Sequence, residues 1–400
     1  MKHADIIQKL NLEQRCALLA GETVFTTRAR PGKGIPAITL SDGPNGVRKQ
    51  AGAADHLGLN PSVPATCFPT SSATACSWDE KLGEAVGEAL GEEAAAQEVA
   101  VLLGPGLNIQ RSPLGGRDFE YFSEDPILAG RMAAAYVRGI QKNGIAACPK
   151  HFAVNSQELR RMASDSVLDE RTLRGLDLTG FEIVVKEAKP KTIMTSYNRI
   201  NGTYANENAH LLQDILRKDW GFDGAVVTDW GGSNDHALGV KNGSTLEMPC
   251  PGGDSIRELM KAVQGGKISE ADVDARLDER LELVLATYAA VEKAPRTVDA
   301  AAHHKLARRA AAESIVLLRN EGGILPLKPN EKLAVIGDFA ETPRYQGAGS
   351  SAVHALQVDT LLESIKADDS RITFVGYASG FESQGAAAAD NLEADVALAT

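Results

Sequence analysis

Short runs of apolar, often β-branched residues alternate with longer amphipathic segments along the first 250 residues of the chain. The apolar runs are typical of strands buried on both faces of a parallel sheet, and the longer segments have helical spacing. We predict strands at residues 35–42, 64–72, 99–103, 145–148, 192–198, 224–228 and 246–248. We predict helices at residues 5–20, 80–98, 126–143, 169–189, 208–220 and 254–291.

This repeated alternation predicts the α/β fold class. A strand followed by a helix and another strand implies a parallel βαβ unit, and so many units in one stretch favour a closed barrel over an open sheet. We therefore predict a (β/α)8-type barrel over residues 1–291. A polar connecting segment at 292–302 follows, and residues 303–400 start a new βαβ pattern that ends on a predicted strand at 394–400, so that this second domain reads as incomplete.

Polar side chains follow several of the predicted barrel strands. They are Asp42, Lys150, His151, Tyr197 and Asp229. The carboxyl ends of barrel strands meet at one mouth, where such barrels carry their chemistry. Asp229 directly follows a β-branched run, and its neighbour Trp230 offers a flat face on which a sugar ring can stack. The alternative interpretation is an Asp that only caps the next helix.

Two loops add charged and aromatic residues. Residues 104–125 contain Arg117, and residues 150–161 contain the Lys150–His151 pair and Arg161. Binding residues are often carried on loops that a rigid scaffold positions. The alternatives are an Arg117 that pairs with Asp118 or Glu120, a solvated Lys150 and a packed His151.

The composition of the chain excludes some classes of binding partner and indicates the cellular compartment. The formal net charge of −11 and the lack of a long basic run make nucleic acid and anionic membranes unsuitable partners. The first residues lack the apolar centre of a secretion signal, and the five cysteines are scattered, so we expect a cytoplasmic protein. No metal-ligand or phosphate-loop spacing is present, and we expect no cofactor and no metal.

Five motifs, in this order and spacing, resemble glycoside hydrolase family 3 in its β-glucosidase branch. They are S-D-G-P at 41–44, G-G-R-x-F-E-Y-F-S-E-D at 115–125, K-H-F-A at 150–153, M-T-S-Y-N at 194–198 and V-V-T-D-W at 226–230. The resemblance covers almost the whole chain and implies a barrel followed by an open α/β sandwich. The loop after K-H lacks the Asp-His pair of the branch that cleaves N-acetylglucosaminides, so that branch is disfavoured.

The resemblance also implies roles for residues. Asp229 corresponds to the catalytic nucleophile of a retaining exo-acting β-glucosidase. The residues expected to bind the terminal sugar are Asp42, Arg117, Lys150, His151, Arg161, Met194, Tyr197 and Trp230. Members selective for xylose often carry Glu in place of Asp42, so the shorter side chain favours glucosides. The general acid/base is expected beyond residue 400, which would make this chain part of a longer enzyme.

Other functions stay open at this point. They are a β-xylosidase or related β-glycosidase, a sugar-binding homologue without turnover, and a phosphorylase. The expected partner is a small β-glucoside or oligosaccharide, and the sequence leaves a homo-oligomer open.

Overall fold

The structure is a computed structural model that describes residues 1–52, 54–55, 60–367 and 372–379. Two compact units are present. The first contains residues 1–315 with 347–354, and the second contains residues 316–346 and the chain from 355 onwards. The helix Ala300–Glu313 belongs to the first unit. The predicted strand at 394–400 lies outside the described residues.

The strands of the first unit are short. They are β1 (Thr39–Asp42), β2 (Val99–Leu103), β3 (Ala146–Ala147), β4 (Asp165–Ser166), β5 (Thr192–Met194), β6 (Arg199–Ile200), β7 (Thr203–Tyr204) and β8 (Ala225–Val227). β1, β2 and β3 form one parallel sheet, and β5 pairs in parallel with β8. β4, β6 and β7 form a separate small sheet.

Single backbone bridges close these strands into a ring. Phe152 pairs with Thr195 beyond β3 and β5, and Leu246 pairs in parallel with Val227 of β8. Glu247 then pairs with Ala20, and antiparallel bridges lead from Gly21 to Thr27 and from Thr26 to β1. Within the described residues the ring thus runs through eight segments, of which the one at 26–27 is reversed.

Helices surround this ring. They are α1 (Ala4–Ile7), α2 (Leu12–Leu18), α3 (Ser71–Ala75), α4 (Glu80–Ala96), α5 (Pro126–Gln141), α6 (Glu170–Thr172), α7 (Thr179–Ala188), α8 (His236–Asn242), α9 (Gly253–Gln264), α10 (Glu270–Lys293) and α11 (Ala300–Glu313). Leu173–Asp177 and His210–Asp219 are wound as π-helix, and short 3-10 turns occur at Pro31–Lys33 and Ala205–Glu207. The core lies between helices and ring and includes all of β2 and β8.

Side-chain caps explain where several helices begin. The Asn11 side chain accepts from the Gln14 amide while the Gln14 side chain accepts from the Asn11 amide, which forms a capping box before α2. Ser269 and Asp272 form the same arrangement before α10. Asp125 caps α5 by accepting from the amides of Ile127 and Leu128. These caps satisfy amide groups that have no partner within their own helix.

Several predicted elements differ from the structure. The predicted helix 5–20 is divided into α1 and α2 before the Asn11 cap. Residues 64–72 form no strand, because Pro64 and Pro69 lack the N–H group that a strand ladder needs, and α3 begins at Ser71. The predicted helix 254–291 is divided into α9 and α10 by the turn at Gly265 and Gly266. Gly266 has a φ of 71°, a conformation that glycine adopts without strain.

The second unit contains a βαβ arrangement. Strand β9 (Glu331–Ile336) pairs in parallel with β10 (Ile372–Ala378), and α12 (Leu361–Ala367) lies between them in sequence. Val335, Ala340 and Leu362 form its apolar cluster. Three 3-10 turns occur at Glu321–Gly323, Asp338–Ala340 and, within the first unit, Gly349–Ser351.

Candidate active site

One pocket lies at the carboxyl ends of the barrel strands, within the first unit. All nine residues that the sequence analysis selects line it, together with Phe25 and Ser350: Asp42, Arg117, Lys150, His151, Arg161, Met194, Tyr197, Asp229 and Trp230. Asp42 and Met194 are the last residues of β1 and β5, and Asp229 lies two residues beyond β8. Parallel strands explain the convergence, because their carboxyl ends all lie at one edge of the ring.

The two carboxylate oxygens of Asp229 differ in their surroundings. Oδ1 accepts a hydrogen bond from the backbone amide of Trp230 at 2.8 Å. Oδ2 is buried, and no hydrogen-bond partner for it occurs among the residues that the structure describes. Nε2 of His151 lies 3.6 Å from Oδ2. A buried carboxylate oxygen normally has a partner, so Oδ2 is held in a position where a ligand or substrate atom can meet it.

Aromatic side chains form one wall of the pocket. The Trp230 indole donates from Nε1 to the carbonyl of Val24 at 2.7 Å, and its ring lies 5.4 Å from that of Phe25. The Tyr197 hydroxyl donates to the carbonyl of Trp230 at 2.8 Å, and the guanidinium of Arg161 stacks 4.5 Å above the Tyr197 ring. The indole N–H of Trp230 and the hydroxyl of Tyr197 therefore both donate to backbone carbonyls, and these hydrogen bonds fix the orientation of the two aromatic rings.

Lys150 and Asp42 form a buried charge pair. Nζ of Lys150 lies 3.8 Å from Oδ1 of Asp42, and both side chains are almost fully buried. Burial raises the pKa of Asp42, and the charge of Lys150 opposes that rise. The separation is longer than a hydrogen bond, so both groups keep hydrogen-bonding capacity for a ligand.

Two glutamates hold the two arginines that line the pocket. Arg117 donates to Glu120 and lies 3.8 Å from Glu158, while Arg161 donates to Glu158 at 2.6 Å. Burial alone would lower the pKa of Arg117, but the neighbouring Glu120 outweighs it and raises that pKa well above its usual value. Burial also raises the pKa of Glu120, yet Arg117 and Lys150 bring it below the usual value. The network keeps the cations charged and fixed in place.

His151 is nearly inaccessible to solvent. The Asn108 side chain accepts from the His151 backbone amide at 2.7 Å and donates to its carbonyl at 2.8 Å. Burial, together with the positive charges of Arg117, Lys150 and Arg161, lowers the pKa of His151 well below its usual value. At neutral pH the imidazole is therefore uncharged.

Several residues around the site were not selected from the sequence. Phe25 and Ser350 line the pocket. Tyr121 contacts His151, Glu158 accepts from Arg161, and Asn155 donates to both Tyr121 and Glu158. Tyr121 lies inside the motif at 115–125, and this position could have marked it as a residue of the site. No motif in the sequence indicated Phe25, which directly precedes the reversed segment of the ring at 26–27.

In the described ranges no cluster of three or more His, Cys, Asp or Glu side chains is arranged to hold a metal ion. Likewise, no helix in the described part of the chain is sufficiently long and apolar to cross a membrane. None of the five cysteines, all of which lie within the described residues, forms a disulfide bond.

The chain matches two family models. Residues 54–283 match the glycosyl hydrolase family 3 N terminal domain, and residues 315–400 match the glycosyl hydrolase family 3 C-terminal domain. These matches agree with the family that the five sequence motifs indicate.

Individual relatives are similar over most of the chain. Thermostable beta-glucosidase B of Acetivibrio thermocellus is 46% identical over 94% of this chain and 50% of the relative. An exo-alpha-(1->6)-L-arabinopyranosidase of Bifidobacterium longum is 43% identical over 90% of this chain and 50% of the relative. The structure of beta-glucosidase 3B from Thermotoga neapolitana in complex with alpha-D-glucose is 36% identical, with a TM-score of 0.86 over 93% of this chain and 55% of that chain.

The chain thus spans about half the length of the curated relatives that it matches. The predicted (β/α)8-type barrel is confirmed by this likeness and by the closed ring. Sequence motifs, family models and fold agree, and the chain belongs to glycosyl hydrolase family 3.

Proposed function

We propose that this chain carries the nucleophile and the sugar pocket of a retaining exo-acting β-glucosidase. The observation that carries the proposal is the Asp229 carboxylate at the pocket, with a buried Oδ2 that has no hydrogen-bond partner among the described residues. Retaining glycosidases need one carboxylate that attacks the anomeric carbon from the face opposite the leaving group. Oδ1 of Asp229 is held by the Trp230 amide, which leaves Oδ2 as the attacking atom.

In the proposed reaction the anomeric carbon forms a bond to Oδ2 while its bond to the leaving oxygen breaks. Water then cleaves the glycosyl ester, so the product regains the β configuration. Protonation of the leaving oxygen requires a second carboxyl group. A dinitrophenolate leaves without a proton, so this leaving group tests the nucleophile by itself.

The charged residues supply sugar recognition in this proposal. Lys150, Arg161 and Arg117 are hydrogen-bond donors, and Asp42 is an acceptor, which suits neighbouring hydroxyl groups on one ring. Interactions that strengthen at the transition state raise the rate, whereas uniform binding only improves affinity.

Glucose is the proposed sugar. Several relatives are named beta-glucosidases, and a similar structure contains alpha-D-glucose. The 43% identical arabinopyranosidase supports a second candidate class of substrate, the glycosides of pyranose sugars that lack a C6 hydroxymethyl group. Arabinopyranose is such a sugar. Xylosides and arabinopyranosides therefore belong in the same assay as glucosides.

Covalent trapping tests the proposal directly. The chain is incubated with 2,4-dinitrophenyl 2-deoxy-2-fluoro-β-glucoside, and its intact mass is measured. We expect one added fluoroglucosyl group on the peptide that contains Asp229, and none in Asp229→Asn. A folded protein that binds glucose but gains no mass would instead be a sugar-binding homologue. Faster release of the trapped group by phosphate than by water would indicate a phosphorylase.

We also infer a cytoplasmic location for the enzyme. Five cysteines, distributed over separate parts of the first unit and not joined by disulfide bonds, support a reducing compartment. Fractionation of the native cells with an antibody against the chain is the measurement, and recovery in the secreted fraction would contradict the inference.

A further inference from the structure

Three buried side chains form a hydrogen-bonded chain that leads to Asp229. The Asn155 amide donates from Nδ2 to the Tyr121 hydroxyl oxygen at 3.1 Å. That hydroxyl lies 3.0 Å from Nδ1 of His151, and Nε2 of the same ring lies 3.6 Å from Oδ2 of Asp229. Asn155, Tyr121 and His151 are each at most 2% exposed. Water cannot easily exchange these partners, so the direction of each hydrogen bond has consequences for the pocket.

Glu158 fixes the orientation of the Asn155 amide. Its Oε1 accepts from Nδ2 of Asn155 at 3.0 Å, and its Oε2 accepts from Arg161 at 2.6 Å. A carboxylate between arginines can only accept hydrogen bonds, so the NH2 group of Asn155 must face it. The second N–H of that group then points at Tyr121.

Tyr121 can therefore donate its proton only towards His151. Its oxygen already accepts from Asn155, and burial raises the pKa of the phenol, so the hydroxyl stays protonated. Nδ1 of His151 is the remaining partner, and it must accept. A neutral imidazole with an accepting Nδ1 carries its proton on Nε2.

We propose that Tyr121 and Asn155 are positioning residues that hold His151 as the neutral Nε2–H tautomer, with its N–H directed at Oδ2 of Asp229 and at the pocket. The ring then offers a donor to a carboxylate or to a sugar hydroxyl oxygen. With the opposite tautomer, the lone pair of Nε2 would face the carboxylate lone pair of Asp229, which is repulsive. The significance for catalysis depends on the proposed function, whereas the tautomer itself does not.

Three of the four charged groups around His151 favour the neutral ring. Arg117, Lys150 and Arg161 disfavour an imidazolium, Asp229 favours one, and Tyr121 is neutral. Burial adds to the effect of the three cations, so the neutral ring persists at neutral pH. The hydrogen bond from Tyr121 then selects between the two neutral tautomers.

Nitrogen NMR of the 400-residue chain tests this without any assay of activity. The chain is labelled with 15N-histidine, and the His151 signals are assigned by their loss in His151→Asn. We expect one protonated nitrogen, Nε2, and one unprotonated nitrogen, Nδ1, unchanged between pH 6 and 8. A protonated Nδ1, or an imidazolium across this range, would overturn the proposal in the wild-type chain alone.

Variants test the two positioning residues. Tyr121→Phe keeps the ring that contacts His151 at 6.0 Å between centroids but removes the proton donor. We expect a mixture of both tautomers and a midpoint of His151 protonation raised by up to about one pH unit, since one neutral hydrogen bond to the uncharged form is lost. Asn155→Asp removes the N–H group that faces Tyr121, so the phenol can turn its proton away and the Nδ1–H fraction should increase.

Tyr136→Phe is the matched control. Tyr136 is also a buried tyrosine with an edge-on aromatic neighbour, Phe122, and it lies outside the pocket. Its loss of a hydroxyl should leave the His151 signals unchanged. A pure Nε2–H tautomer in folded Tyr121→Phe would show that Tyr121 does not select it, and the proposal would be wrong even if Asp229 is trapped as the nucleophile.

Discussion

The ammonium group of Lys150 lies 3.8 Å from Oδ1 of Asp42, although the two residues are more than a hundred positions apart in the chain. Asp42 ends the strand β1, and Lys150 follows β3. The strand β2 lies between them, so the pair spans three neighbouring strands at the barrel mouth. The two side chains are both buried and form a pair of opposite charge. In the proposed function, either group can form a hydrogen bond with a sugar hydroxyl.

Asp42→Ala should reduce kcat/KM for glucosides more than for xylosides. Loss of a charged hydrogen bond costs about 1.5–3 kcal/mol, and more if the bond strengthens in the transition state. The xyloside is the internal control, because it lacks the C6 hydroxyl group that Asp42 is expected to reach with a hydrogen bond. The measurement is kcat/KM on the two dinitrophenyl glycosides. Equal losses on both would remove the reason for preferring glucose.

Asp229→Ala should abolish turnover of dinitrophenyl glucoside, and azide should restore part of it by forming the α-glucosyl azide. The small anion can enter the space left by the carboxylate and attack the same face of the sugar. Asp223→Ala is the control, since that carboxylate is exposed and lies before β8. Product analysis by NMR gives the anomer. More than a few per cent of wild-type turnover without azide would show that Asp229 is not the nucleophile.

Gly139→Ala should destabilise the first unit by about 1–3 kcal/mol, because α5 crosses α4 at this glycine. A Cβ atom here would overlap the carbonyl of Glu84 and lie 2.6 Å from the amide nitrogen of Glu88. Gly175→Ala is the matched control, as its Cβ would meet no atom within 4 Å. We expect it to be neutral or stabilising by about 0.4–1 kcal/mol.

Tryptophan fluorescence during urea unfolding measures both variants. All three tryptophans lie in the first unit, so the signal reports that unit. Equal midpoints for the two variants would mean that the helices can separate at Gly139 without cost.

His303 should make stability depend on pH. Hydrogen bonds to Glu93 at 2.7 Å and to Glu92 at 3.0 Å raise the pKa of this imidazole above its usual value. Because the folded pKa is raised, the stabilisation is complete below the unfolded value of about 6.5 and is lost as the pH rises through the folded pKa.

The test is to compare urea midpoints from pH 5 to 9. His303→Gln should weaken the decline on the alkaline side, whereas His304→Gln, its neighbour on α11, should leave it in place because His303 is kept. The same alkaline decline in wild type and His303→Gln would assign it to another group.

The local sequence was sufficient to predict those elements that depend on interactions between residues close together in the chain. Strand β8 is predicted by its β-branched run, and α2 and α10 begin at caps that can be read from neighbouring residues. The closed ring of strands was predicted from the alternation of strands and helices, because few folds can bury so many parallel strands. Strand ends that converge explain why the selected side chains share one pocket.

Proline positions show the limit of the apolar pattern. Residues 64–72 are predicted as a strand, but two prolines remove ladder donors, and Ala65 instead donates to the carbonyl of His354 at 3.0 Å. That partner is almost 300 residues away in sequence. Hydrophobic periodicity contains no information about such a partner.

The sequence by itself determined the barrel, the strand-end residues and the family, since each depends on short motifs and on the period of apolar positions. Only the tertiary structure decided which atoms meet: Phe25 beside Trp230, and the chain from Asn155 through Tyr121 to His151. The physical reason is that hydrogen bonds act over about 3 Å and depend on direction. Residues that are remote in sequence acquire such partners only when packing fixes their side chains.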